Sequence, residues 1–161
     1  MTSKHKILVP SIVTALAIAA TIVGTTTLQL LPHEAKAQGK ATLLAGQLTA
    51  ASNGKPFGGQ PIGSYAVTPS GQRVDIHLHI DKPPTAGNVL EAWLVDTKAN
   101  YSLSLGQVDT AINPPSLTFS QTMVNPYAYN QIIITQEPLK DPNPKPSQPI
   151  GGTALEAPFG A

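Results

Sequence analysis

The 161-residue chain contains no cysteine and few charged or aromatic side chains. Without cysteine there can be no disulfide framework, no thiolate metal site and no cysteine nucleophile. Packing must therefore provide the stability of the folded protein. Charged residues make up only 12% of the chain and aromatic residues 5%. After residue 37 the chain also lacks any long window with a helical pattern of apolar side chains, so helices are not expected there.

The first 37 residues have the layout of a secretory signal. A short basic start at residues 4–6 precedes an uncharged run over residues 7–31. Ala35 and Ala37 are then placed as an A-x-A cleavage site requires. This order predicts a signal peptide over residues 1–37 that is cut after Ala37. The protein is then expected outside the cytoplasmic membrane, in the periplasm, at the cell surface or secreted.

The same uncharged run is also long enough to remain as a membrane anchor. About 20 apolar residues suffice to cross a bilayer core as a helix. If the chain is not cut at Ala37, the basic start stays inside, as the positive-inside tendency expects. Contact with a membrane is expected only through this segment, and cleavage and anchoring both remain open from the sequence.

Residues 38–161 have the length of one ordinary domain. They carry seven basic and eight acidic residues, which leaves a formal charge of −1. The positive charge of the full chain therefore belongs to the N-terminal segment. No basic patch is available to bind nucleic acid, so a nucleic-acid partner is not expected.

Residues 38–161 read as short strands separated by turn residues. Apolar and polar side chains alternate without interruption over residues 74–80, which is the clearest strand pattern in the chain. Residues 89–95 are almost all apolar, as in a strand buried on both faces. Further strands are predicted at residues 42–49, 64–68, 101–105, 117–123, 131–137 and 152–155.

Glycine and proline interrupt this pattern in two long stretches. Residues 52–63 are rich in both and are predicted to form a loop. Residues 138–149 hold many prolines and are predicted to form a stiff loop. Seven or eight short strands with such connections predict an all-β protein, an Ig-like antiparallel β-sandwich, preceded by the hydrophobic signal or anchor helix.

Four motifs in the second half of the chain occur in a characteristic order. They are Leu-Glu-Ala-Trp-Leu-Val-Asp at residues 90–96, Ser-Leu-Gly at 104–106, Ile-Ile-Thr-Gln-Glu-Pro at 133–138 and Pro-Ser-Gln-Pro-Ile-Gly at 146–151. In this order they resemble the extracytoplasmic domain of the RskA-type anti-sigma-K factors. The resemblance implies a β-sandwich outside the membrane that serves in sensing or in contacts with envelope proteins.

The chain departs from that family at its beginning. Only six residues precede the hydrophobic segment, which is too few for a domain that grips a sigma factor. The outer module is therefore expected without the cytoplasmic effector, and anti-sigma activity is not implied. The expected function is a non-catalytic, extracytoplasmic module that binds an envelope or membrane protein, serves in sensing or acts as a structural surface domain.

A metal site is the competing hypothesis. Asp75, His77 and His79 occupy alternate positions of one predicted strand, so the three side chains point to the same face. Neutral imidazole suits copper or zinc, and a carboxylate can complete the ligand set. The chain would then be a small periplasmic metal carrier. The simpler interpretation is a solvated sheet face.

Motifs for catalysis are missing. The chain has neither G-x-S-x-G nor H-E-x-x-H, and only His77 and His79 follow the signal. An enzyme is therefore not expected, and no cofactor other than the possible metal is predicted. Asn100 opens an Asn-Tyr-Ser pattern for N-glycosylation. Trp93, the only tryptophan, is expected to be buried.

Overall fold

The computed structural model describes residues 41–143 and 145–160. The predicted signal or anchor segment, and with it the predicted domain boundary after residue 37, lies outside these residues. Within them a single 3₁₀ turn, Pro126–Ala128, accompanies eight strands. The strands are β1 (Leu44–Ser52), β2 (Lys55–Ser70), β3 (Arg73–Ile80), β4 (Asn88–Asp96), β5 (Tyr101–Gln107), β6 (Ser116–Thr122), β7 (Gln131–Pro138) and β8 (Pro149–Ala154).

The eight strands form one antiparallel sheet in the order β5-β4-β7-β8-β1-β2-β3-β6. The connection after β5 meets the start of β6 at one place, where Asp109 and Ser116 exchange backbone hydrogen bonds of 2.8 and 3.1 Å. The sheet thus nearly closes on itself. The predicted all-β class and its antiparallel strands are confirmed. The short strand β8 pairs with both β7 and β1. It thereby joins strands β5, β4 and β7 to strands β1, β2, β3 and β6 in one continuous sheet.

The hydrophobic core lies inside the curved sheet. In β3 the four apolar residues predicted to share one face are all buried, and the polar residues between them point outward. Strands β4 and β7 contribute Leu90, Leu94, Ile132 and Ile134, none of which is exposed to solvent. Each such side chain contributes roughly 1.5–3 kcal/mol by leaving water. The core side chains therefore come from strands all around the sheet.

The prediction of a loop over residues 52–63 was wrong. A two-residue turn at Asn53 and Gly54, both with positive φ, joins β1 directly to β2. Strand β2 then pairs with β1 through several register shifts, which accommodate the glycines and prolines. Gly63 is needed where β2 meets β3, because a side chain there would overlap the carbonyl oxygen of His79.

The proline-rich stretch forms a loop, as predicted. Its described part between β7 and β8, residues 139–143 and 145–148, forms no strand or helix. No helix within residues 41–143 and 145–160 is both long enough and apolar enough to cross a bilayer.

Candidate functional site

Strand β3 places the three predicted metal ligands on one outward face. Each lies opposite a hydroxyl-bearing residue of β6, with Asp75 facing Ser120, His77 facing Thr118, and His79 facing Ser116. The alternation that the sequence predicted is therefore present, and the adjacent strand adds a row of hydroxyl groups beside it.

The carboxylate of Asp75 is held by two neighbours. The Ser120 hydroxyl donates to Oδ1 of Asp75, and Arg73 Nε lies 3.2 and 3.3 Å from the two carboxylate oxygens. These hydrogen bonds, first from Ser120 and then from Arg73, lower the pKa of Asp75. The negative charge of Asp75 is thus already matched by protein groups.

The two histidines have separate neighbours. His77 Nδ1 lies 3.2 Å from Thr118 Oγ1, and His79 Nε2 lies 3.9 Å from Asp81 Oδ1. Among the described residues, no set of three histidine, aspartate or glutamate side chains is grouped as a metal centre requires. Binding of copper or zinc by Asp75, His77 and His79 stays a prediction.

Asn100 lies in the turn between β4 and β5. It is exposed and has a left-handed backbone with φ of 51°. Asp96 shapes this turn, since its Oδ1 accepts hydrogen bonds from the backbone N–H groups of Lys98 and Ala99. The position is accessible to a glycan, and its modification stays a prediction.

Strands β4 and β7 form a second outward face of the sheet, and the proline-rich segment covers it. Trp93 is buried, as predicted, and its indole N–H donates to Thr135 Oγ1 at 2.9 Å. Glu137 follows Thr135 on the same face and is only 3% exposed. The proline-rich segment returns to this face, where Ser147 donates its backbone N–H and its hydroxyl to the two carboxylate oxygens of Glu137.

Two opposing effects set the pKa of Glu137. Burial by itself raises the pKa, because a charged carboxylate loses its hydration. The hydrogen bonds from Ser147 and Thr135 outweigh this effect and lower the pKa below its usual range. Glu137 is therefore ionised at neutral pH and holds the proline-rich segment against the sheet.

The remaining candidate is the gap between the two end strands, which we call the open seam. Beyond the Asp109–Ser116 bridge, β5 and β6 have no ladder between them. The cleft that results is lined by residues of β5, by the end of β6 and by the connection after it. These are Tyr101, Leu103, Gln121, Thr122, Met123, Val124, Asn125, Ala128 and Tyr129, together with Asp96 and Ala99.

Apolar and aromatic side chains of the open seam are accessible to solvent. Val124 is 95% exposed and Tyr101 is 52% exposed. The ring of Tyr101 lies 6.4 Å from that of Tyr129, centroid to centroid. Burial, then the neighbouring Tyr101 and Asp96, raise the pKa of Tyr129, so its hydroxyl stays neutral at neutral pH. The seam thus presents a largely apolar surface with an aromatic pair, and Asp96 is the one charged side chain among its described lining residues.

The sequence did not point to the open seam. Strands β5 and β6 contain no charged residue, and such composition is more typical of interior strands than of edges. Only the order of strands in the sheet shows that these two end it. The surface can take up apolar side chains and backbone hydrogen bonds from a partner.

Comparison with known proteins identifies a family. The family described as anti-sigma-K factor rskA, C-terminal, matches residues 11–150. No curated protein and no solved structure shows significant similarity to this chain. The match covers most of the sequence, and it includes three of the four motifs that carried the resemblance in full and the fourth as far as Ile150. The chain therefore belongs to the family of anti-sigma-K factor rskA C-terminal domains.

Proposed function

We propose that this chain is a non-catalytic extracytoplasmic module that binds an envelope protein through the open seam. Membership of an anti-sigma factor family supports a protein partner. The secretory layout of residues 1–37 supports a location outside the cytoplasmic membrane.

The observation that carries this proposal is the exposed apolar and aromatic surface at the open seam. Five large hydrophobic residues of the described chain are exposed, and two of them, Tyr101 and Val124, belong to this one cleft. Aromatic side chains are enriched in protein interfaces and charged ones are depleted at interface centres. An exposed apolar cluster of this kind marks an interaction surface.

Photo-crosslinking in the host tests this function. A photoreactive amino acid replaces Val124 in the open seam, and in the control it replaces Gln47, an exposed residue of β1. Strand β1 is three positions from β6 in the sheet and four from β5. We expect a discrete protein adduct in the envelope fraction from position 124 and none from position 47. Equal adducts from both positions, or none from position 124, contradict the proposal.

The location is tested separately by cell fractionation with mass spectrometry of the intact protein. We expect the protein in the envelope or the medium, with a mass that begins at Gln38 if the signal is cut. A full-length mass in the membrane fraction indicates an uncut anchor. Recovery in the cytoplasm contradicts the extracytoplasmic role.

A further inference from the structure

We propose that the free edge of β6 takes up an uncharged, extended peptide segment of the partner as an additional strand in the open seam. This inference rests on the proposed function and specifies its chemistry. The partner segment alternates apolar residues, which point into the seam, with small polar residues, which point outward.

The backbone of β6 has a free side with regularly placed hydrogen-bonding groups. At the two ends of the β3–β6 pair, Ile80 N donates to the Pro115 carbonyl at 2.9 Å and Met123 N donates to the Gln72 carbonyl at 2.8 Å. In an antiparallel ladder every second residue faces the same partner strand. Odd-numbered residues of β6 therefore bond to β3, and even-numbered residues face away from it.

Three residues of β6 are consequently available for another strand. Ser116 faces away from β3 and already bonds to Asp109, which confirms the direction. Thr118, Ser120 and Thr122 follow at alternate positions, and all three are exposed. Their N–H and carbonyl groups recur about every 7 Å, which is the spacing of an extended backbone. Addition of a strand to a free sheet edge is an established mode of peptide recognition.

The side chains of β6 determine the pattern of the added strand. Leu117 and Phe119 point inward and are buried, whereas the hydroxyl residues at 118, 120 and 122 point outward. Next to them the open seam offers apolar surface at Leu103 and Tyr129. A neighbouring strand therefore places apolar side chains inside and small polar ones outside.

The absence of charged residues in β5 and β6 also favours an uncharged partner segment. Neither β5 nor β6 carries a charged residue or a proline, so the usual protection of edge strands is missing here. Asp96, the one charged residue that lines the cleft, has an oxygen that already accepts two backbone hydrogen bonds. Because Asp96 is the only charge among the described lining residues, a strand with several charges would lose hydration that the seam does not replace, whereas an uncharged strand matches it.

Fluorescence anisotropy with the full chain and a labelled synthetic peptide tests this inference. The peptide has the sequence of residues 116–122, which is uncharged and places the apolar Leu117 and Phe119 between hydroxyl-bearing residues. The variant Thr118→Pro removes a backbone donor from the free side without removing a hydrogen bond to β3. The matched control Thr118→Ala keeps that donor and loses the same side chain.

We expect Thr118→Pro to raise the Kd of the peptide at least tenfold and Thr118→Ala to change it less than twofold. A peptide with N-methyl groups at alternate amides should lose binding to the unmodified protein, which provides a test that does not depend on the folding of a variant. Absence of saturable binding, equal binding by the two variants, or unchanged binding of the N-methylated peptide overturns the inference.

Other occupants of the edge give different results. If the protein dimerises in a manner that Thr118→Pro abolishes while the peptide does not bind, a second copy occupies the edge and the inference is overturned. Crosslinking at Val124 without peptide binding leaves the proposed function intact and overturns only strand addition. Peptide binding without any envelope adduct supports strand addition and contradicts the proposed function.

Discussion

Two outward faces of the same sheet differ in their exposure to solvent. The face on β4 and β7 is covered, and the face on β3 and β6 is accessible. On β4 and β7 the polar residues Thr135 and Glu137 are buried, and the proline-rich segment covers them. On β3 and β6 the hydroxyls, histidines and Asp75 remain in contact with solvent. Outward-pointing polar residues are therefore buried on β4 and β7 and accessible to solvent on β3 and β6.

Hydrogen bonding explains why the covered face tolerates polar groups. A buried carboxylate is costly unless donors replace its water. Ser147 provides two donors to Glu137, and Trp93 donates to Thr135. No buried side-chain nitrogen or oxygen in the described part of the chain is left without a partner. Covered polar groups stabilise this fold, whereas the uncovered ones are available for recognition.

The largest expected effect is the loss of Trp93. Trp93→Ala leaves a cavity on the covered face and frees the Thr135 hydroxyl, so we expect the free energy of unfolding to fall by about 3–5 kcal/mol. The control Tyr101→Ala, in the open seam, should cost about 1 kcal/mol or less because the ring is half exposed. Urea denaturation measures both. Equal losses from the two variants contradict the distinction between the faces.

Removal of the Glu137 carboxylate should have an intermediate effect. Glu137→Ala leaves the backbone N–H and the hydroxyl of Ser147 without their acceptor, which should cost about 1–3 kcal/mol. Ser147→Ala removes one of these two donors and should cost less. Limited proteolysis should also cut the proline-rich segment faster in Glu137→Ala than in the unmodified protein. Unchanged proteolysis shows that Glu137 does not hold the segment.

Stability should also depend on pH through the two carboxylates whose pKa is lowered. The stabilisation by Glu137 and Asp75 is present above their unfolded pKa values, about 4, and is lost as pH falls through the lower folded values. Thermal unfolding between neutral pH and pH 3 should therefore show a falling Tm. Glu137→Gln should flatten this dependence more than Asp75→Asn, because Asp75 is in contact with water. A steeper curve for Glu137→Gln would contradict the assignment.

The smallest effect is expected on the accessible face. His77→Ala removes one hydrogen bond on the surface, so the free energy of unfolding should change by no more than about 0.5 kcal/mol. Native mass spectrometry of the same variant tests the metal prediction. An added copper or zinc mass in the unmodified protein that disappears in His77→Ala supports that prediction. Its presence in both proteins excludes His77 as a ligand.

Local pattern accounts for much of the fold. The alternation in β3, the apolar run in β4 and the turns around them are properties of a few neighbouring residues, so the sequence predicted them correctly. The wrong prediction at residues 52–63 has a local counter-signal, since Asn-Gly is a strong marker of a two-residue hairpin turn. Glycine and proline do not exclude a strand there, because register shifts let both lie within one.

The site was harder to predict because it depends on distant residues. The sequence placed Asp75, His77 and His79 on one face, but it did not show that Ser120 and Thr118 would hold two of them. It also did not show that β5 and β6 would lie at the ends of the sheet. Apolar and polar residues alternate in both strands, as they do in the interior strand β3. The position of a strand within a sheet is set by long-range pairing, which leaves no mark within the strand itself.

The sequence alone thus determined the family, the all-β class and the inward or outward direction of most strand residues, because periodicity and motifs are local. Tertiary structure alone decided that β8 joins the sheet into one piece, that Ser147 returns to Glu137, and that the sheet stays open between β5 and β6. Each of these features depends on contacts between segments far apart in the chain. The packing of the whole domain determines which of these contacts form.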